Sequence, residues 1–259
     1  MASDPPTTPG MSPLDPVPDP PLTDRQALRA ANNVLMRETM RETRETLAEW
    51  NKTPFSVVGR WAIVAFAVAS SLLLGVFIVA QSSTPDVTHD LPFGLRHTGI
   101  EEAVRPFIRN ILVLALHGFV CIAGFMAMRT LPAQAQYKSG INRWVHHHAS
   151  AFAMVWVTCA TLFSITTQIW ILGHNVADIA FTLGLSNKTL MLTVLPHALP
   201  ELTAVFMPLA AFLLASRAGD WHKLLAATFV TVAIALPVLV VSALIEAYVW
   251  PELLLDAVF

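Results

Sequence analysis

The sequence predicts an all-α protein: a polytopic transmembrane helix bundle of about five spans, with a preceding cytoplasmic helix. Three observations predict it. Charged residues make up 13% of the 259 residues, where soluble domains carry about 25%. Hydrophobic residues make up 54%, and the mean hydropathy is +0.57. Five apolar stretches are also long enough to cross a hydrocarbon core, which takes about 20 helical residues. The formal net charge of −2 supplies no basic field for nucleic acid.

Residues 1–22 form a proline-rich tail, expected to be disordered because it has too few apolar groups to bury a core. It has no basic region followed by an apolar one, so it does not read as a signal peptide. Residues 23–58 read as a cytoplasmic or juxtamembrane helix. Within them Thr23 to Trp50 is free of Gly and Pro, with Thr23 as a plausible N-cap and a thin stripe of Leu28, Leu35 and Leu47. Arg41 and Glu45 stand four apart, a spacing worth only a few tenths of a kcal/mol, roughly.

Residues 59–259 form the transmembrane domain. The expected spans are Trp61 to Ala80, Phe107 to Met128, His148 to Leu172, Leu190 to Ala215 and Leu225 to Trp250. Val176 to Leu185 is apolar but too short to cross, and reads as an interfacial or re-entrant piece that would make a sixth span if it joined a crossing. Lys and Arg fix the orientation. Arg41, Arg44, Lys52, Arg60, Arg129, Lys138, Arg143, Arg217 and Lys223 flank one side; Arg96, Arg105, Arg109 and Lys188 flank the other. The N-terminus is therefore expected in the cytoplasm and the C-terminus outside. Trp61, Trp144, Trp170, Trp221 and Trp250 lie near span ends, as interfacial anchors do.

This topology places Asn110, His117, Gln168, His197, Glu201 and Glu246 in the outer half of the bilayer. An ionisable group in a span costs at least about 2.5–3.5 kcal/mol on insertion scales. These groups are expected to face one another or a polar pocket, with His197 and Glu201 one turn apart on a shared face. Pro196, Pro200 and Pro208 are expected to break the fourth span. Each later proline lacks an amide hydrogen and crowds the carbonyl four residues back, freeing the carbonyls of Pro196 and Ala204.

Other features carry less. Cys121 and Cys159 read as buried thiols acting as small hydrophobes. His146, His147 and His148 are adjacent and point in different directions on a helix. Glu101, Glu102 and Arg105 fall in a loop, one residue short of the spacing in intramembrane prenyl-protein proteases. No HExxH, GxSxG or Walker motif is present, and no metal or cofactor is expected.

"LPHALPELTAVFMPLAAF", followed some forty residues later by "VSALIEAYVWP", resembles the stage II sporulation protein M family of bacterial multi-pass membrane proteins. Pro196, His197, Glu201 and Leu202 match that family's Pro-His-Gly-x-x-Glu-Leu run. Ile245, Glu246, Ala247, Tyr248 and Pro251 match its last span, and Asn110 its Asn-bearing earlier span. Ala198 stands where the family commonly has Gly, and Pro200 is an additional proline. The resemblance covers roughly Arg105 to Pro251. It implies a bacterial plasma-membrane location and a non-enzymatic scaffold or assembly factor. The partners it implies are membrane or cell-envelope proteins, including peptidoglycan-remodelling enzymes; the spans themselves imply the lipid bilayer, and the oligomeric state, a second copy of the chain included, is left open by the sequence.

Two other functions fit the residues. A transporter or channel-like component would use His197 and Glu201 in an outward-facing pocket. A metal-dependent intramembrane hydrolase would need His117, His197 and Glu246 to converge.

Overall fold

The computed structural model describes residues 24–85, 100–130 and 140–259. The proline-rich tail, Thr23 and the segments 86–99 and 131–139 lie outside the described residues, as do the side chains of Trp144, His146 and His147. Among the described residues there are helices and short connections and no strand. The helices are α1 (Asp24–Trp50), α2 (Pro54–Ser82), α3 (Ile100–Phe125), α4 (Gly140–Thr182), α5 (Asn187–Ala218), α6 (Leu224–Leu244) and α7 (Trp250–Val258). A π-helical turn, Met126–Thr130, follows α3, and a second, Ile245–Val249, joins α6 to α7.

Among the described residues five helical stretches are long and apolar enough to cross a membrane: Pro54–Ser82, Val104–Met128, Val155–Thr182, Asn187–Ala218 and Trp221–Val258. The protein is thus an all-α, membrane-embedded, multi-pass bundle. Local chemistry sets the helix ends. Pro54 occupies the first turn of α2, where its missing N–H costs nothing. Ser186 caps α5 by accepting the Thr189 amide at 3.0 Å. Gly184 and Gly219 take left-handed φ of 66° and 72°. They follow α4 and α5, in the conformation that glycine adopts without a Cβ penalty.

α5 is the hub. It packs most extensively against α2 and α6, and then against α3. Residues Ala204 to Phe212 are buried all round the helix, as expected when neighbours surround it. Lipid tails are as apolar as leucine, so packing fit and hydrogen bonds hold such helices together rather than water exclusion. α4 stands at the periphery and leans on α2. There the fit is reciprocal. A Cβ on Gly75 would meet Ile169 Cδ1 at 2.8 Å, and one on Gly173 would meet Val79 Cβ at 2.5 Å. Each helix thus offers a glycine to the other's branched side chain.

Several expectations change. α4 runs unbroken from Gly140 to Thr182, so Val176 onward continues the third span and is not a re-entrant piece. α3 begins at Ile100, which places Glu101, Glu102 and Arg105 on a helix and not in a loop. Trp61 and Trp250 are buried in the protein: Trp61 meets Trp50 edge-on at 5.1 Å. Cys159 is exposed and only Cys121 is buried, because α4 turns most of its surface outward.

Candidate functional site

One face of α5 carries Thr193, His197, Glu201, Val205 and Pro208 at intervals of four, four, four and three residues, the spacing of a single helical stripe. Each faces a neighbouring helix. Trp250 of α7 donates its indole N–H to Thr193 Oγ1 at 3.2 Å. The same indole meets the His197 ring edge-on, with centroids 6.0 Å apart. Asn110 of α3 hydrogen-bonds the Glu201 carboxylate. His117 of α3 hydrogen-bonds the Val205 main chain, and its ring tilts against Phe206 at 5.4 Å. Cys121 Sγ donates to the Pro208 carbonyl at 3.2 Å and also interacts with Thr228 of α6.

The result is a ladder. Asn110, His117 and Cys121 descend α3 at intervals of seven and four, and their partners descend α5 in the same order. The two helices run parallel, so each rung follows one or two turns below the last.

Glu201 is the centre of charge. It is 7% exposed and is the fifteenth of the 32 residues of α5, near mid-length. Glu246 and Arg109 both act on it electrostatically, and Arg109 acts on Glu246 as well. The site therefore sets two carboxylates against one guanidinium and one amide. Glu201 Oε2, His197 Nδ1 and His117 Nδ1 are buried without a hydrogen-bond partner.

Glu246 lies in the π turn Ile245–Val249. Pro251 explains the turn. It has no amide hydrogen and its ring crowds the Ala247 carbonyl, while the Trp250 amide reaches back five residues to Ile245. Glu246 and Trp250, four apart, both meet α5 from this segment.

The structure thus brings Asn110, Glu201 and Glu246 together, sets His197 one turn away against Trp250, and leaves His117 on a separate rung. Gln168 is apart from them. It donates to Ser164 Oγ at 3.1 Å and, with His117, lines a cavity of about 320 Å³ between α3 and α4. Pro196, Pro200 and Pro208 do not break α5, which is continuous from Asn187 to Ala218. Pro196 and Pro200 turn to the exposed side, and Pro208 is buried in the ladder. Among the described residues no three His, Cys, Asp or Glu groups are placed to hold one metal ion, so the set His117, His197 and Glu246 does not converge.

Sequence reasoning gave Arg109, Trp250 and Cys121 other roles, as a flanking cation, an interfacial anchor and a buried thiol, and did not single out Thr193. Arg109 had a signal: it precedes Asn110 inside an apolar stretch, where a guanidinium needs an anion. Cys121 and Thr193 had none, because small polar groups occur throughout the spans. No protein-family profile, curated protein or solved structure matches the chain.

Proposed function

We propose that this protein is a non-enzymatic integral-membrane scaffold or assembly factor of a cell-envelope complex, in the manner of the stage II sporulation protein M family it resembles. The observation that carries the reading is the ladder on α5. Its polar side chains are engaged with neighbouring helices, as fits a rigid frame. α1 is the docking element. Its exposed Val34, Met36 and Met40 alternate with Arg37, Arg41 and Arg44, a mixed surface suited to a partner protein. The bundle sits in a bacterial plasma membrane with α1 in the cytoplasm and Phe259 outside. Peptidoglycan-remodelling enzymes are the partner class that the resemblance supplies.

The test is photo-cross-linking in native membranes from positions 34, 36 and 40. Discrete adducts to one envelope protein are expected, lost when Arg37, Arg41 and Arg44 are changed to Glu. Adducts only to lipid or to another copy of the chain would overturn the reading.

One observation favours a second reading, a transporter or channel-like component. Glu201 keeps one buried oxygen unpaired within the electrostatic reach of Glu246 and Arg109, an arrangement fit to exchange an ion or proton. Liposome flux that Glu201→Gln abolishes, with unchanged thermal stability, would support it. A fall in stability of several degrees without any flux in the unsubstituted protein would return the carboxylate to the frame.

A further inference from the structure

A cavity of about 440 Å³ opens where the first turns of α2, the last turn of α5 and the start of α6 meet. Its volume lies in the usual range for a ligand site, about 300–1,000 Å³. Arg60 from α2, Arg217 from α5 and Lys223 from the turn Trp221–Lys223 line it, and Trp61 and Leu214 give it an apolar floor. Trp50, at the end of α1, borders it and packs edge-on against Trp61. Among the described residues lining it, the acidic one is Asp220, which Lys223 holds at 2.9 Å. The lining thus carries three cations against one anion.

The cavity's depth follows from its place in the fold. It is lined by Val57 in the first turn of the first span, which begins at Pro54, and by Ala218, where the fourth ends, at the level of lipid headgroups. Backbone dipoles add to the charge. α2 and α6 begin here and offer positive ends, while α5 ends here. Gly219 and Asp220 amides already cover the Ala215 carbonyl of α5, which blunts that negative end.

We infer that this cavity binds the phosphodiester headgroup of an anionic membrane phospholipid. Arg60, Arg217 and Lys223 hold the phosphate, and the first methylenes of an acyl chain lie against Trp61 and Leu214. The apolar floor under a basic rim is what separates this chemistry from a free phosphate, which would gain nothing from the floor. Basic pockets between helix ends are a known form of lipid recognition. The inference is independent of the scaffold reading, because it uses neither the ladder nor a protein partner.

The test is native mass spectrometry of the full chain, delipidated in detergent and titrated with phosphatidylglycerol or phosphatidylcholine of identical chains. Phosphatidylglycerol is expected to be retained much the more tightly. Each surface cation contributes about fivefold, so Arg60→Gln with Arg217→Gln and Lys223→Gln is expected to weaken retention roughly a hundredfold. Ala218→Trp keeps every charge but fills the cavity mouth, and is expected to weaken retention as well. It decides the matter alone if the triple variant does not fold. Arg105→Gln with Lys188→Gln, which removes charge outside the cavity, is expected to change nothing. Equal retention of the two lipids, or retention undiminished in the variants, would overturn the inference. Displacement of phosphatidylglycerol by millimolar inorganic phosphate would also overturn it and assign the cavity to soluble phosphate.

Discussion

Asn110 and Glu201 set the energetics of the ladder, because each is 7% exposed and each is what the other pairs with. Removing the amide leaves a carboxylate enclosed with less to stabilise it. Asn110→Ala is expected to lower stability by about 0.5–2 kcal/mol, read as a lower midpoint of thermal unfolding in detergent. Asn110→Gln, which keeps an amide, is expected to recover part of the loss. The Trp250–Thr193 rung can be isolated more cleanly. Trp250→Phe keeps a ring against His197 and removes the donor, and Thr193→Val removes the acceptor at similar volume. A double-mutant cycle on the two is expected to give a coupling of about 0.5–1.5 kcal/mol; a coupling near zero would mean that the bond contributes nothing. The cysteines offer a third check. Cys159 is exposed and Cys121 is enclosed where α3, α5 and α6 meet. Cys159 lies within a span, where its exposed side meets lipid or detergent, so a lipophilic thiol reagent is expected to label it in the folded protein and to reach Cys121 only as the bundle unfolds.

At the scale of the helix, the close approach of α2 and α4 rests on two glycines. Gly173→Leu would drive a side chain into Val79 and toward the Val76 carbonyl, which stands 3.0 Å from even a bare Cβ. Overpacking of this kind costs about 1–3 kcal/mol. α4 makes little contact elsewhere, so the expected outcome is its detachment, seen as loss of a disulfide cross-link engineered between α2 and α4. Spacing and hydropathy revealed five helices, but not that Gly75 and Gly173 mesh with Ile169 and Val79. Interhelical fit depends on which faces meet, and apolar residues surround every span. The prolines teach the complementary point. Read locally, Pro196, Pro200 and Pro208 imply a broken helix. In the bundle, the dense packing around α5 holds it continuous, and the helix distortion at Glu246 is the π turn before Pro251.

For the molecule as a whole, the proposed topology, in which each of the five apolar helical stretches among the described residues crosses once, would put α1 and Phe259 on opposite sides of the membrane. Compartment-specific reporters fused at the two ends are expected to report opposite compartments, with the α1 end cytoplasmic. Matching compartments would mean an even number of crossings. The bundle's architecture also divides its polar chemistry. The ladder occupies the interior of α3, α5 and α7, while the basic cavity lies at one end beneath α1. Structural and ligand-binding roles therefore need not share residues, and substitutions in one are expected to leave the other unaffected.

Sequence alone determined the helical class, the five apolar stretches and the residue types that cannot face lipid. Those depend on length, hydropathy and the cost of an unpaired polar group, all of which are local. Spacing within α5 likewise put His197 and Glu201 on one face. Only the tertiary structure decided that Glu201 meets Asn110 and feels the charge of Arg109, that His197 lies against Trp250, and that His117 and Cys121 hold main-chain groups of α5. Such pairings depend on the rotation and offset of one helix against another. Many apolar side chains compete for those settings with nearly equal energy, and packing shape, which no single helix encodes, selects among them.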